Sequence, residues 1–119
     1  MKIAISSQGR DLSSQIDPRF GRAAYILIID TDTDKVTVFD NTKNLNAFKG
    51  AGIQAAAMLD KTGTSVLMTG YCGPNAYKTL QAAGIKVVSE VSGMVKDALA
   101  EFLQGNLAFA DSANVDAHW

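Results

Sequence analysis

Soft metal ligands are nearly missing from this chain of 119 residues, which has one cysteine, Cys72, and one histidine, His118. A single thiol excludes an internal disulfide, and the pair excludes a zinc site of four cysteines or of two cysteines and two histidines. The chain therefore cannot enclose a transition metal with soft ligands of its own. Any metal has to arrive with most of its ligands attached. No run approaches the ~20 apolar residues needed to cross a bilayer. Charge of one sign is missing too: 11 basic against 12 acidic residues leave a formal net charge of -1, whereas a dedicated nucleic-acid binder shows a basic excess. The chain passes from Met1-Lys2 directly into Ile3-Ala4-Ile5, a short strand pattern rather than an export signal with a long apolar segment and a cleavage site, so the cytoplasm is the expected location.

What is present reads as one ordinary globular domain, 47% hydrophobic and 19% charged, and at this length a single core with a single site. Residues 2–6 form a strand pattern, followed by a polar loop over 7–22. Residues 24–30 are almost continuously apolar, as in a strand covered on both faces, and 35–40 alternate, which predicts a hairpin with a less buried second strand. Helical patterns follow at 51–61 and 74–83, with strands at 65–69 and 85–88. Val95, Ala98, Leu99 and Phe102 stand at helical spacing on a last helix. Gly63, Gly84 and Gly105 stand where C-caps are wanted. Residues 1–105 make up the expected domain, and 106–119, without a clear period, a docked or mobile tail.

The order βββαβαβα, with right-handed crossovers, gives a mixed five-stranded sheet in the order 3-2-1-4-5 with helices on both faces, an α/β arrangement that resembles the three-layer ribonuclease H-like fold. Its nuclease chemistry is not expected here, because the first strand, Lys2-Ile3-Ala4-Ile5-Ser6, has no carboxylate for magnesium. The loops after the parallel strands gather at one edge of such a sheet, where ligands of open α/β sheets bind. They bring Arg10, Arg19, Arg22, Lys43 and Lys49 together against Asp11, Asp17 and Glu90. Two helices also start there, one after Gly50-Ala51-Gly52 and one after Gly73 with Pro74 at its first position, and free N–H groups at helix starts attract anions. An anionic ligand is the expectation.

The best functional clue is Asp17-Pro18-Arg19-Phe20-Gly21-Arg22, two guanidiniums around a proline, an aromatic and a glycine. The hexapeptide is either a surface turn with a local ion pair or an anion-binding loop. In Gly70-Tyr71-Cys72-Gly73-Pro74-Asn75 the glycines serve either a tight turn or the close approach of backbone to a ligand. Cys72, just before a helix start, is either a small buried hydrophobe or a thiol of lowered pKa able to act as nucleophile or soft ligand. His118 is either an exposed terminal residue or, if the tail folds back, a partner for it. Phe20 and Tyr71 either shield a ligand or cap the core.

Four stretches in register, Phe20-Gly21-Arg22-Ala23, Gly50-Ala51-Gly52-Ile53-Gln54-Ala55-Ala56, Gly70-Tyr71-Cys72-Gly73-Pro74-Asn75-Ala76 and Ala83-Gly84-Ile85-Lys86-Val87, resemble the dinitrogenase iron-molybdenum cofactor biosynthesis family of the NifX and NifB C-terminal type. Its small stand-alone members include one that holds a molybdenum-copper sulfide cluster without a full set of protein ligands. The resemblance implies non-catalytic binding or carriage of a preformed molybdenum-copper or iron-molybdenum sulfide cluster, with cluster donor or acceptor proteins as partners and no role for nucleic acid or membrane. Arg19, Arg22 and Lys49 would supply charge, Gly50, Gly52, Gly70 and Gly73 backbone access, and Phe20 and Tyr71 shielding, with Gly21, Pro74 and Asn75 completing the site and Cys72 or His118 at most one metal bond. The alternatives are a small phosphate- or nucleotide-handling enzyme at the same helix starts, or a regulatory module binding a partner through Phe48 or the tail.

Overall fold

The computed structural model describes residues 1–42 and 50–115. Its elements follow the expected order: β1 (Lys2–Ser7), β2 (Tyr25–Asp30), β3 (Val36–Asp40), α1 (Ala51–Thr62), β4 (Val66–Met68), α2 (Pro74–Ala82), β5 (Lys86–Val88) and α3 (Val95–Leu103). The sheet runs β3-β2-β1-β4-β5. β2 is antiparallel to both β1 and β3, and β4 and β5 continue the direction of β1. The topology expected from the sequence is the one observed.

Alternation along the strands splits the interior into two cores. Ala4, Ile26, Ile28, Leu67 and Val87 face α1 and α2 through Ala55, Ala56, Leu59, Ala76 and Leu80. Ile3, Ile5, Leu27, Ile29, Val66, Met68 and Val88 face α3 through Val95 and Ala98, together with Ile16 from the connection after β1. Two successive right-handed crossovers advancing the same way put α1 and α2 on one face, and α3 returns across the other. Each fully buried leucine or isoleucine contributes about 1.5–3 kcal/mol, so the central strands carry most of the stability.

The connection over 8–24 is held more firmly than a polar surface loop. Ile16 bridges Ser7, Gln15 bridges Met94, and Ile16 and Phe20 are buried. The C-terminal segment is docked as far as it is described. Ala110 donates its N–H to the Val87 carbonyl (2.7 Å) and accepts from the Tyr77 hydroxyl (3.0 Å), and the Phe109 ring lies 6.0 Å from that of Phe102. Such point contacts have no sequence period, which is why no element was legible there.

Candidate functional site

The connections after β1, β4 and β5, with Asn41 directly after β3, meet at the C-terminal edge of the sheet, and the Asp17–Arg22 stretch is sewn into it by its backbone. Asp17 takes an N–H···O bond to Ser6 (3.0 Å), and its carbonyl accepts from the Ser6 hydroxyl (2.7 Å), which also meets the Thr69 hydroxyl (2.7 Å). Tyr71 donates its N–H to the Pro18 carbonyl (2.7 Å), while Phe20 donates to the Tyr71 carbonyl (3.2 Å). The Asp17 carboxylate accepts the Arg19 backbone N–H (3.1 Å), closing an Asx turn around Pro18. The side-chain amide of buried Asn41 donates to the carbonyls of Gly21 (3.1 Å) and Ala23 (2.8 Å), one on each side of Arg22. Arg19 is exposed and Arg22 half-buried on this frame.

Small residues let three segments touch. A Cβ added to Gly21 would lie 2.5 Å from the Gly52 nitrogen, and one added to Gly52 would lie 2.8 Å from the Ala76 Cβ. The arginine loop, the first turn of α1 and the first turn of α2 are therefore stacked in contact. Gly70 meets the arginine loop in the same way, since an added Cβ would stand 2.7 Å from the Pro18 carbonyl oxygen.

The electrostatics of the edge follow from its helix starts. Neither α1 nor α2 has a side-chain cap or an acidic residue in its first turn; their N-caps are Gly50 and Gly73. At α3, by contrast, Val95 and Lys96 donate to the Ser14 and Leu12 carbonyls (both 2.9 Å), and Asp97 stands in the first turn. Two positive helix ends thus converge beneath two arginines without an intrinsic counter-charge at either helix start. Arg10, counted with the edge cations from the sequence, instead pairs with Asp40 (3.6 Å) and lies over the Tyr25 ring.

Several residues expected to face a ligand do other work. Phe20 is 2% exposed and belongs to the core beneath α1 and α2, so it supports the arginine loop from below rather than shielding a ligand. Gly52 and Gly70 permit close packing of protein on protein. Tyr71, 38% exposed, and Asn75 are the exposed side chains of the β4–α2 turn. Cys72 is 2% exposed in the same core, and burial pushes its thiol up to about 12, opposite to the lowering expected from the nearby helix start. Desolvation wins because the side chain is buried among the apolar residues of that core. Lys43, Phe48, Lys49 and His118 lie outside the described residues.

The Cys72 thiol carries a testable consequence. Its folded pKa is raised, so the native state keeps a proton that the unfolded chain loses above about pH 9. Stability is unaffected by this group below pH 9 and falls by about 1.4 kcal/mol per pH unit above it. Thermal melts of wild type and Cys72→Ala from pH 8 to 11 should show the wild-type midpoint dropping more steeply; parallel curves would show that the thiol is not desolvated.

Among the described residues no group of three or more His, Cys, Asp or Glu side chains is arranged to hold a metal ion.

A mixed five-stranded sheet of order 3-2-1-4-5 with an arginine loop packed on two helix starts defines a class, and the family comparison identifies it: the chain belongs to the dinitrogenase iron-molybdenum cofactor family, which matches residues 1–105. It is similar to the orange protein from Desulfovibrio gigas, whose apo form superposes with a TM-score of 0.93 at 43% identity over 96% of each chain. A putative NifB protein from Thermotoga superposes with a TM-score of 0.84 at 37% identity, over 96% of this chain and 97% of that one. An uncharacterized protein of Methanocaldococcus jannaschii is 26% identical over 110 residues, 90% of this chain and 89% of its own length.

Sequence reasoning missed Asn41 and Asn114. Asn41 follows β3 directly, where asparagine reads as a turn former, and only its burial shows it to be a clamp. Asn114 lies in the tail without a period, and its side chain reaches Gly70 and Cys72, 44 and 42 residues away.

Proposed function

We propose that the protein binds or carries, without catalysing a reaction, a preformed anionic metal-sulfur cluster of the molybdenum-copper or iron-molybdenum sulfide kind at the C-terminal edge of its sheet. The observation that carries this reading is the contact between the uncapped starts of α1 and α2 beneath the loop of Arg19 and Arg22. Membership of a family described by the iron-molybdenum cofactor of dinitrogenase supports it. Cluster sulfides carry negative charge and accept hydrogen bonds, so guanidinium and backbone N–H donors hold them by charge-assisted bonds. Arg19 and Arg22 supply charge, with Lys49 from the adjoining segment; the α1 and α2 starts supply N–H groups, and Tyr71 screens the rim. The thiol of Cys72, buried in the core, is not among the donors of this reading. Loading and delivery then call for proteins that donate and accept the cluster.

Anaerobic reconstitution with tetrathiomolybdate and copper(I) tests the reading. The expected product is a coloured complex that survives desalting with a fixed metal-to-protein ratio, and that is not displaced by millimolar inorganic phosphate. Colourless protein without metal after desalting would overturn it.

A further inference from the structure

We infer that residues 106–115 form a displaceable strap whose Asn114 carboxamide occupies the place of a ligand acceptor atom on the Cys72 N–H, so that loading the edge opens the strap. The inference rests on the reading of that edge as an anion-binding site.

The short segment 70–72 is hydrogen-bonded along both sides. Toward the arginine loop its partners are backbone groups, Pro18 and Phe20, which move only if that loop opens. On the other side the partner is Asn114. Its Oδ1 accepts the Cys72 N–H (2.9 Å), its Nδ2 donates to the Gly70 carbonyl (3.0 Å), and its own N–H donates to the Cys72 carbonyl (3.3 Å). The carboxamide thus stands where the peptide unit of a neighbouring strand would stand.

What it covers matters at this edge. Pro74, the first residue of α2, has no N–H; the first turn itself offers the N–H groups of Asn75 and Ala76, and the donors just before it are those of Gly73 and Cys72. The strap takes the second of them. The strap is rooted at its start, where Asn106 bonds Glu101 and half-buried Leu107 packs against the core, whereas beyond Leu107 its anchors besides Asn114 are the Ala110 bonds to Val87 and Tyr77 and the tilted pair of Phe109 with Phe102. No residue from 106 to 115 is buried, and Phe109 is 49% exposed. A segment with so few buried contacts opens independently of the sheet.

Release gives up a few neutral hydrogen bonds, those on the Cys72 and Val87 carbonyls and that of the Tyr77 hydroxyl, while the Gly70 carbonyl keeps the Glu90 N–H (2.7 Å). The Cys72 N–H exchanges a neutral amide oxygen for an anionic acceptor, a hydrogen bond roughly twice as strong. Ligand and strap therefore compete for one donor, and the closed strap lowers the apparent affinity by the fraction of molecules in which it is open.

Tetrathiomolybdate titrations of wild type, Asn114→Ala and Ala110→Pro test this, the last removing the N–H that anchors the strap to Val87. Both substitutions lie outside the core and the arginine loop. Each should tighten binding about tenfold, the order expected from losing a few neutral hydrogen bonds in the closed state. Hydrogen exchange should show the Cys72 and Ala110 amides of the free wild type opening together, faster than those of Ile28 and Leu67. On loading, Ala110 should exchange faster and Cys72 slower. Binding that is unchanged or weaker in both variants, or an Ala110 amide that becomes protected on loading, overturns the strap. Absence of binding in wild type and variants alike overturns instead the reading of the edge on which it rests.

Discussion

Replacing Arg19 and Arg22 together with alanine should weaken tetrathiomolybdate binding about a hundredfold while leaving the thermal midpoint within about two degrees of wild type. Each guanidinium can offer a charge-assisted bond of about 1.5–3 kcal/mol, and solvent screening at this rim keeps the pair near the lower end of the sum. Stability should be largely spared because backbone bonds at Pro18, Phe20, Gly21 and Ala23 hold the loop whatever side chains stand at 19 and 22. The wild-type affinity should also fall more steeply with added salt than that of the double variant. Equal affinity and equal salt dependence in the two proteins would remove the arginines from the site.

Gly21→Ala should have the opposite profile, a large loss of stability with binding lost as a consequence. The added Cβ would lie 2.5 Å from the nitrogen and 2.6 Å from the Cα of Gly52, and 2.9 Å from the Ala51 carbonyl carbon. These are backbone atoms at the start of a helix and cannot swing aside as a flexible side chain would. Overpacking of this kind costs about 3 kcal/mol, which lowers the midpoint of a domain of this size by about 10 °C. Relief requires the arginine loop to lift from α1, which also separates it from α2 because Gly52 sits on Ala76. A melt indistinguishable from wild type would show that the three segments are not in contact.

These two expectations separate charge from scaffold at positions 19 to 22, which is where sequence and structure divide the information between them. Strand and helix positions were legible because apolar period and glycine stops are local properties. The sheet order followed from the right-handedness of crossovers, so the gathering of the arginines and two helix starts at one edge was legible as well. Side-chain roles within the edge were less so. Phe20 and Cys72 lie in motifs that look like ligand loops, yet both point inward. Whether a residue of a short irregular segment faces core or solvent depends on the local backbone path, which no periodicity reports.

The sequence by itself determined the fold, the poverty in soft metal ligands and the sheet edge at which the arginines stand, because each follows from composition, period or chain topology. Only the tertiary structure decided that Cys72 is a buried protonated thiol, that Gly21 and Gly52 join a loop to two helices, and that Asn41 and Asn114 clamp that edge from distant parts of the chain. Desolvation, atomic contact and hydrogen bonds between residues 18 to 44 positions apart depend on distances in space, and the order of residues along the chain does not contain those distances.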